Sequence, residues 1–420
     1  MKTFLKILIG LLLAGGLFTF AFYRTPQERA FTKNLKLAQA GDMDAAIQVA
    51  QAYLNGAGTK PNPEQALTWY QQAAAADKPQ AAWELYQYYD KQGVFEQQEE
   101  DDYEEPRPVM DPFDDPFGPR QGYPMAEPQP MRQTSRRNLT EEKELALAYL
   151  QSAAQADFAP AQYELGNLYA QGSKGFPQHK GQSLFWYMKA AQNGSNPAQA
   201  KVTALTTEDP ALYAQTEQFM QTLTMAQQND PQAMFQLAQA YRQGIPVLRD
   251  DAVAAEWFKK AWDKSDKTLS QAAFELADQY YKGEGVEQNS DTATELLAQA
   301  AQLKNPYAQY LLGEYAYTDD PARLEDAFAW FSNAAAQGHA KAQYMTGFML
   351  LQGQGTAKSV PLAIRFFEQA AQQNDASAQY VLGQIYLKGL GVKRSPRQGR
   401  VWLERAVENG SEPAKEMLGM

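Results

Sequence analysis

The chain of 420 residues holds two histidines and no cysteine. That inventory removes most metal and nucleophile chemistry. Without cysteine there is no disulfide, thiolate metal site, cysteine nucleophile or lipidated N-terminal cysteine. A two-histidine metal site would need His179 and His339 together, and they stand far apart in the chain. His339 follows Ala334-Ala335-Ala336-Gln337-Gly338 and reads as a turn residue, while His179 lies in the irregular stretch Lys174 to Gly181 and reads as exposed. No Ser/His/Asp set assembles. The G-x-G stretches, such as Gly283-Glu284-Gly285, fall between two helices rather than after a strand, so they are not phosphate loops. The acidic run Glu96 to Glu105 lacks the ordered spacing of a calcium loop. With 49 acidic side chains some carboxylate pair is always at hand, so composition does not decide for or against glycan cleavage. The expectation is a chain with no catalytic residue, no metal and no cofactor.

Net charge is −11, from 49 acidic and 38 basic side chains. That balance, with no basic stripe, argues against nucleic acid, whose phosphates require one. The N-terminus points to a membrane. Met1, Lys2 and Lys6 precede an uncharged run of 17 residues, Ile7 to Tyr23. As a helix it would span about 25 Å, slightly less than a hydrocarbon core of about 30 Å. Two readings compete: a retained signal anchor, or a signal peptide cut after Ala21 with Thr19 three residues before the cut. Bulky Phe20 and Phe22 surround that cut and favour the anchor. The lysines place residues 1–6 in the cytoplasm and the remainder outside it. The expected location is the inner membrane, single-pass at 7–23, with a periplasmic C-terminal domain. The alternative is a periplasmic or secreted protein after cleavage.

Positioning elements emerge from internal repetition. Ala308-Gln309-Tyr310-Leu311-Leu312-Gly313 recurs as Ala342-Gln343-Tyr344-Met345-Thr346-Gly347 and as Ala378-Gln379-Tyr380-Val381-Leu382-Gly383, with an earlier copy at Ala161 to Gly166. Taking the glycine as a register mark gives Ala50, Tyr86, Gly166, Val202, Ala238, Ala277, Gly313, Gly347, Gly383 and Gly419. The gaps cluster at 34 to 39 residues except for one of 80, which equals a repeat of 36 plus 44. Nine repeats and a terminal stub result, with the one around Val202 degenerate. Each reads as two helices. The first carries the small mark, often with a tyrosine three residues later. A glycine turn follows, since glycine takes left-handed dihedrals at little cost. The second helix carries an aromatic pair before an alanine pair, as in Trp186-Tyr187 before Ala190-Ala191 and Phe366-Phe367 before Ala370-Ala371. Spacings of three and four put these on one face, which a neighbouring pair must cover.

This pattern resembles the Sel1-like repeat, a relative of the tetratricopeptide repeat. Ala378, Leu382, Gly383, Tyr386, Gly389, Gly391, Val392, Trp402, Ala406 and Gly410 follow its motif. The resemblance covers residues 34–94 and 140–420, departing from the motif at Asn196 to Asn229 and at Thr318 to Pro321. It implies an all-α superhelical solenoid whose first helices line a concave face. It also implies an adaptor or assembly factor of the bacterial envelope that binds protein partners and is not an enzyme.

Residues 95–139 interrupt the second repeat. Between Glu96 and Asp115 stand ten carboxylates and one arginine, with many prolines. Too few apolar groups are present to offset the ordering entropy, so this insertion reads as disordered, with a second helix resuming at Thr140. Its near-duplicated Asp111-Pro112-Phe113 and Asp115-Pro116-Phe117 make Phe113 and Phe117 a possible docking segment, beside the plainer reading of a tolerated loop.

Two positions of each first helix, two before and one after the mark, share the side expected to face the concavity. They are polar in most repeats, for example Gln236 and Gln239, or Glu275 and Asp278. In the last three they become Leu311 and Glu314, Met345 and Phe348, Val381 and Gln384. One reading makes Leu311, Met345, Phe348 and Val381 an exposed partner-binding stripe. The other has the repeat phase slip, so that they are core. The expected function is a non-enzymatic protein-interaction scaffold. The alternative is a glycan or cell-wall binding factor with hydrolase-like activity, for which most aromatics sit at core positions and few are spare.

Overall fold

A computed structural model describes residues 24–95, 131–319 and 321–420. Residues 7–23, and with them the expected anchor, lie outside the described residues, as do Phe113 and Phe117. Among the described residues no helix is long and apolar enough to cross a membrane. These residues form α-helices joined by short turns, with no strand among them.

The chain divides into two compact units, Met1–Ala214 and Gln215–Met420. In the first, α1 (Pro26–Gln39) leads into the pair α2 (Met43–Asn55) and α3 (Pro63–Ala75). Next come α4 (Pro79–Lys91) with α5 (Met131–Gln155), then α6 (Ala159–Gln171) with α7 (Lys180–Gln192), then α8 (Asn196–Glu208). Helix α9 (Pro210–Gln227) crosses the boundary. The second unit holds the pairs α10 (Pro231–Gln243) and α11 (Asp251–Lys264), α12 (Ser270–Lys282) and α13 (Ser290–Gln302), and α14 (Pro306–Asp319) and α15 (Leu324–Ala336). It ends with α16 (Ala340–Gln352) and α17 (Val360–Gln372), α18 (Ala376–Lys388) and α19 (Pro396–Glu408), and the stub α20 (Glu412–Leu418). In every repeat except the degenerate one, α8 with α9, the two helices pack on each other more extensively than on their neighbours. The degenerate stretch is still a helix pair, α8 and α9, joined through Asp209 without a glycine turn.

The G-x-G turn has two separate physical causes. Its first glycine caps the first helix in the left-handed region, as Gly283 does at φ 72°. Its second makes a close approach: a Cβ on Gly285 would lie 2.1 Å from the Asp251 carbonyl at the start of the preceding repeat's second helix.

Two boundaries differ from the sequence reading. Phe95, expected to open the insertion, is buried at 7% exposure in the core around Tyr86, Leu150 and Leu165. The Lys174 ammonium lies 5.0 Å from its ring centroid. The second helix of that repeat begins at Met131 rather than Thr140. The sequence from Met131 to Leu139 holds no proline or glycine, so nothing in it ends a helix, and Thr140 lies within α5 rather than at its start.

Candidate binding site

All six of the expected partner-binding residues are half-buried. Leu311 and Glu314 lie on α14, Met345 and Phe348 on α16, Val381 and Gln384 on α18. Met345 packs against Ala316, Phe331 and Met349. Phe348 and Val381 pack against the core around Leu350, Phe367 and Leu382. These three therefore cover inter-repeat cores rather than form an open stripe. Glu314 accepts a hydrogen bond from the Tyr310 hydroxyl at 2.5 Å, and Gln384 donates to the Tyr380 hydroxyl at 2.6 Å. Burial, and then the Glu314 carboxylate, hold the Tyr310 phenol well above its usual range.

Leu311 is different, because it lines two adjoining hollows in the second unit. The first, about 360 Å³, lies between α12, α13 and α14 and is walled by Phe274, Tyr281, Leu297, Leu311 and Tyr315. The second, about 440 Å³, runs to the start of α16 and is walled by Phe274, Tyr307, Tyr310, Leu311 and His339, with Lys341 at its edge. Phe274 and Leu311 are common to both. Volumes above about 300 Å³ are ample for large side chains or small ligands.

The aromatic walls brace one another. The Phe274 and Tyr307 rings stand 5.9 Å apart, Tyr307 meets His339 edge-on at 4.9 Å, and Tyr310 stacks on His339 at 4.7 Å. Tyr281 and Tyr307 are each 57% exposed and Tyr315 is 45% exposed. Three large rings are thus left substantially open around the hollows. Sequence reasoning singled out Leu311 but not Phe274, Tyr281, Tyr307 or Tyr315, which line the same hollows. For Tyr281, Tyr307 and Tyr315 the available signal was an aromatic standing off the repeat-periodic positions, as Tyr281 stands beside the periodic Tyr280, whereas Phe274 occupies the same periodic position as Tyr163, Phe235 and Tyr310.

Four of the polar first-helix positions, Glu164, Asn167, Glu275 and Asp278, are paired. Arg242 on α10 forms ion pairs with Glu275 and Asp278 on α12, and a longer one with Glu284 at 3.8 Å. Burial pushes the Glu275 carboxyl up, with Arg242 opposing. In the first unit Lys174 binds Asp90 at 2.5 Å and lies 3.9 Å from Glu164, which accepts from the Tyr86 hydroxyl at 3.1 Å. Among the described residues no group of three or more acidic or histidine side chains could hold a metal.

A family model for the Sel1 repeat matches residues 44–78, 137–158, 159–195, 231–266, 270–305, 306–339, 340–375 and 376–411. The chain belongs to the Sel1 repeat family. The matched Sel1 repeats leave out Asn196 to Asp230, the degenerate pair, and split around the insertion. Among curated relatives, chitin synthase regulatory factor 3 of Schizosaccharomyces pombe is 25% identical over 251 residues. That match covers 49% of this chain, and the chain spans only 27% of that relative's length. Among solved structures, a Sel1 repeat protein from Oxalobacter formigenes is 25% identical with a TM-score of 0.41, over 61% of this chain and 88% of the other. The protective antigen c5321 of uropathogenic Escherichia coli is 22% identical with a TM-score of 0.35, over 93% and 81%.

Within these Sel1 repeats the glutamine after the first-helix alanine has a role that its recurrence alone did not disclose. Gln162, Gln309, Gln343 and Gln379 are buried. Each donates to a carbonyl eight residues upstream, on the preceding second helix: Ala154, Ala301, Ala335 and Ala371. Each also accepts from an amide at the end of its own repeat's second helix: Asn193, Gln337, Gln373 and Asn409. One side chain thus ties three consecutive helices. Both histidines are helix caps rather than free turn residues. His179 Nδ1 accepts from the Gln182 amide at 2.9 Å and His339 Nδ1 from the Ala342 amide at 3.2 Å.

Proposed function

We propose that this Sel1-repeat solenoid is a non-enzymatic interaction scaffold that captures a protein partner in the aromatic groove of its second unit. The carrying observation is the pair of adjoining hollows sharing Phe274 and Leu311, with Tyr281, Tyr307 and Tyr315 exposed around them. Tyrosine suits such a surface, since its ring supplies apolar area and its hydroxyl stays wet. Interface hot spots are enriched in this residue type. Envelope tethering through residues 7–23, with the repeats in the periplasm, completes the reading and is supported by Lys2, Lys6 and the uncharged run.

A photo-crosslinking residue in place of Tyr307 in cells should give a discrete adduct, lost when Leu311→Asp is added. The same residue at Leu362, exposed on a second helix, should give none. Equal adducts from both positions would reject the groove. A reporter active only outside the cytoplasm, fused after Met420, checks the topology, and activity of a cytoplasmic reporter there would reject it. The three open tyrosines also favour one second reading, sugar binding by ring stacking. Co-sedimentation with peptidoglycan that Tyr307→Ala abolishes would select it.

A further inference from the structure

The groove's charge identifies the chemistry of its occupant. Three charged side chains line the two hollows: Asp278, Lys282 and Lys341. Asp278 is doubly engaged, by Lys282 at 2.9 Å and by Arg242 from the neighbouring repeat. Among the described residues Lys341 has no ion-pair partner, and it is exposed at the edge of the second hollow. The lining thus carries one positive charge in excess, in a chain of net charge −11. Two carboxylates act on Tyr310 in the wall of the second hollow, Glu314, which accepts from its hydroxyl at 2.5 Å, and Asp375, but neither lines either hollow. A partner bringing a lysine or arginine to this end would meet Lys341. One bringing a carboxylate would neutralise it.

Shape adds the second requirement. Phe274 and Leu311 separate two apolar-walled hollows, about 360 and about 440 Å³. An occupant covering both needs two bulky apolar side chains, one on either side of that divide, and polar backbone to meet the tyrosine hydroxyls at the rim. We infer that the groove takes a linear peptide segment with two bulky apolar side chains and an aspartate or glutamate beside the one nearer His339, the carboxylate pairing with Lys341. This rests on the reading of the groove as the partner-binding surface. Lys341 then sets the direction in which the segment lies, because only one of the two orientations brings the carboxylate to it. Such a charge at a rim adds specificity more than affinity.

The test is selection of a random twelve-residue phage-displayed library on the full-length protein in detergent micelles. The baits are wild type, Lys341→Glu, Lys341→Gln and Leu311→Asp. Wild type should enrich peptides with two large apolar residues and an acid at one end. In solution, replacing that acid by lysine in a selected peptide should weaken binding about fivefold at low salt, the scale of a solvent-exposed ion pair, with the difference shrinking as salt rises. Lys341→Glu should invert the preference towards lysine or arginine, and Lys341→Gln should erase it without inversion. Selection without charge preference, or a preference that Lys341→Glu leaves unmoved, overturns the inference while the groove stands. No enrichment on wild type, or enrichment that persists on a folded Leu311→Asp protein, removes the groove itself and the inference with it.

Discussion

At Gly166 a Cβ would lie 2.5 Å from the Tyr187 ring, and at Gly313 one would lie 2.7 Å from the Phe331 ring. Both rings are buried, at 2% and 0% exposure, so neither can swing aside. Overpacking of this kind costs about 1–3 kcal/mol, against about 1 kcal/mol that alanine returns in helix propensity. Gly166→Ala and Gly313→Ala should therefore lower the urea midpoint. Gly347→Ala, whose nearest contacts are 3.0 Å, should lower it less. The recurring glycine was readable from sequence as a small mark. Which member of the following aromatic pair it admits was not, because both members are aromatic. Packing separates them: Tyr70, Tyr187, Phe331 and Phe367 are buried, while Trp69, Trp186, Trp330 and Phe366 are half-buried.

The histidines supply a pH prediction at the same scale. Burial lowers the pKa of both His179 and His339 below the ordinary value of 6.5. For His339, Lys341 lowers it further and Glu314 opposes. Protonation would take away the Nδ1 lone pair that caps the helix. Below pH 6.5 the unfolded chain binds protons that the folded chain resists, so stability is fully present above that pH and is lost as pH falls below it. The raised Glu275 carboxyl acts in the opposite sense as pH rises above its ordinary 4.5. Comparison with a double His179→Asn, His339→Asn protein cancels that term. Asparagine keeps a cap acceptor without titrating, so this protein should lose less melting temperature than the wild type between pH 7.5 and 5.5. Equal losses would remove the histidines from the account.

At the scale of elements, the buried glutamines decide how one repeat is locked to the next. Gln343→Ala removes two hydrogen bonds, leaving the Ala335 carbonyl and the Gln373 amide without these partners. Orphaning buried polar groups costs about 1–3 kcal/mol each. Gln373→Ala alone should cost less, and the double variant should cost less than the sum of the two, because the second change removes a group the first already stranded. Chemical denaturation of the four proteins measures this, and strict additivity would show that the pair acts separately. Repetition in sequence exposed the glutamine's position but not its partners, which stand eight residues before it and about one repeat after it. The groove was legible to the same partial degree. Leu311 broke the polar pattern of its register position and so stood out. Phe274 stands where an aromatic recurs in most repeats, and Tyr307 and Tyr315 stand off the recurring positions, but residue type alone does not say which of them is open. Their openness depends on which neighbouring helix covers them, which is a tertiary fact. Met345, Phe348 and Val381 broke the pattern just as Leu311 did, yet pack on inter-repeat cores.

At the scale of the whole molecule, the boundary between the compact units falls within α9, in the stretch where the Sel1 pattern lapses. Solenoid stability is approximately a sum of repeat terms and nearest-neighbour interface terms. Repeats 3 and 8 each have strong internal packing, through Gly166 on Tyr187 and Gly347 on Phe367. Repeats 1, 2, 5 and 6 also lack the mark glycine and the glutamine clamp but keep a turn glycine, whereas the pair α8–α9 lacks all three, with Val202, Asp209 and the exposed Gln199 at those places. Its interface terms should then be the weakest, and unfolding should break there first. Native-state hydrogen exchange on Gly166→Ala would show it. Protection should fall across α6 and α7 while α12 to α19 keep wild-type protection. A parallel Gly313→Ala protein should show the reverse, with loss confined to the second unit. A uniform loss of protection through both units, from either substitution, would mean that the degenerate pair transmits stability as well as any other repeat.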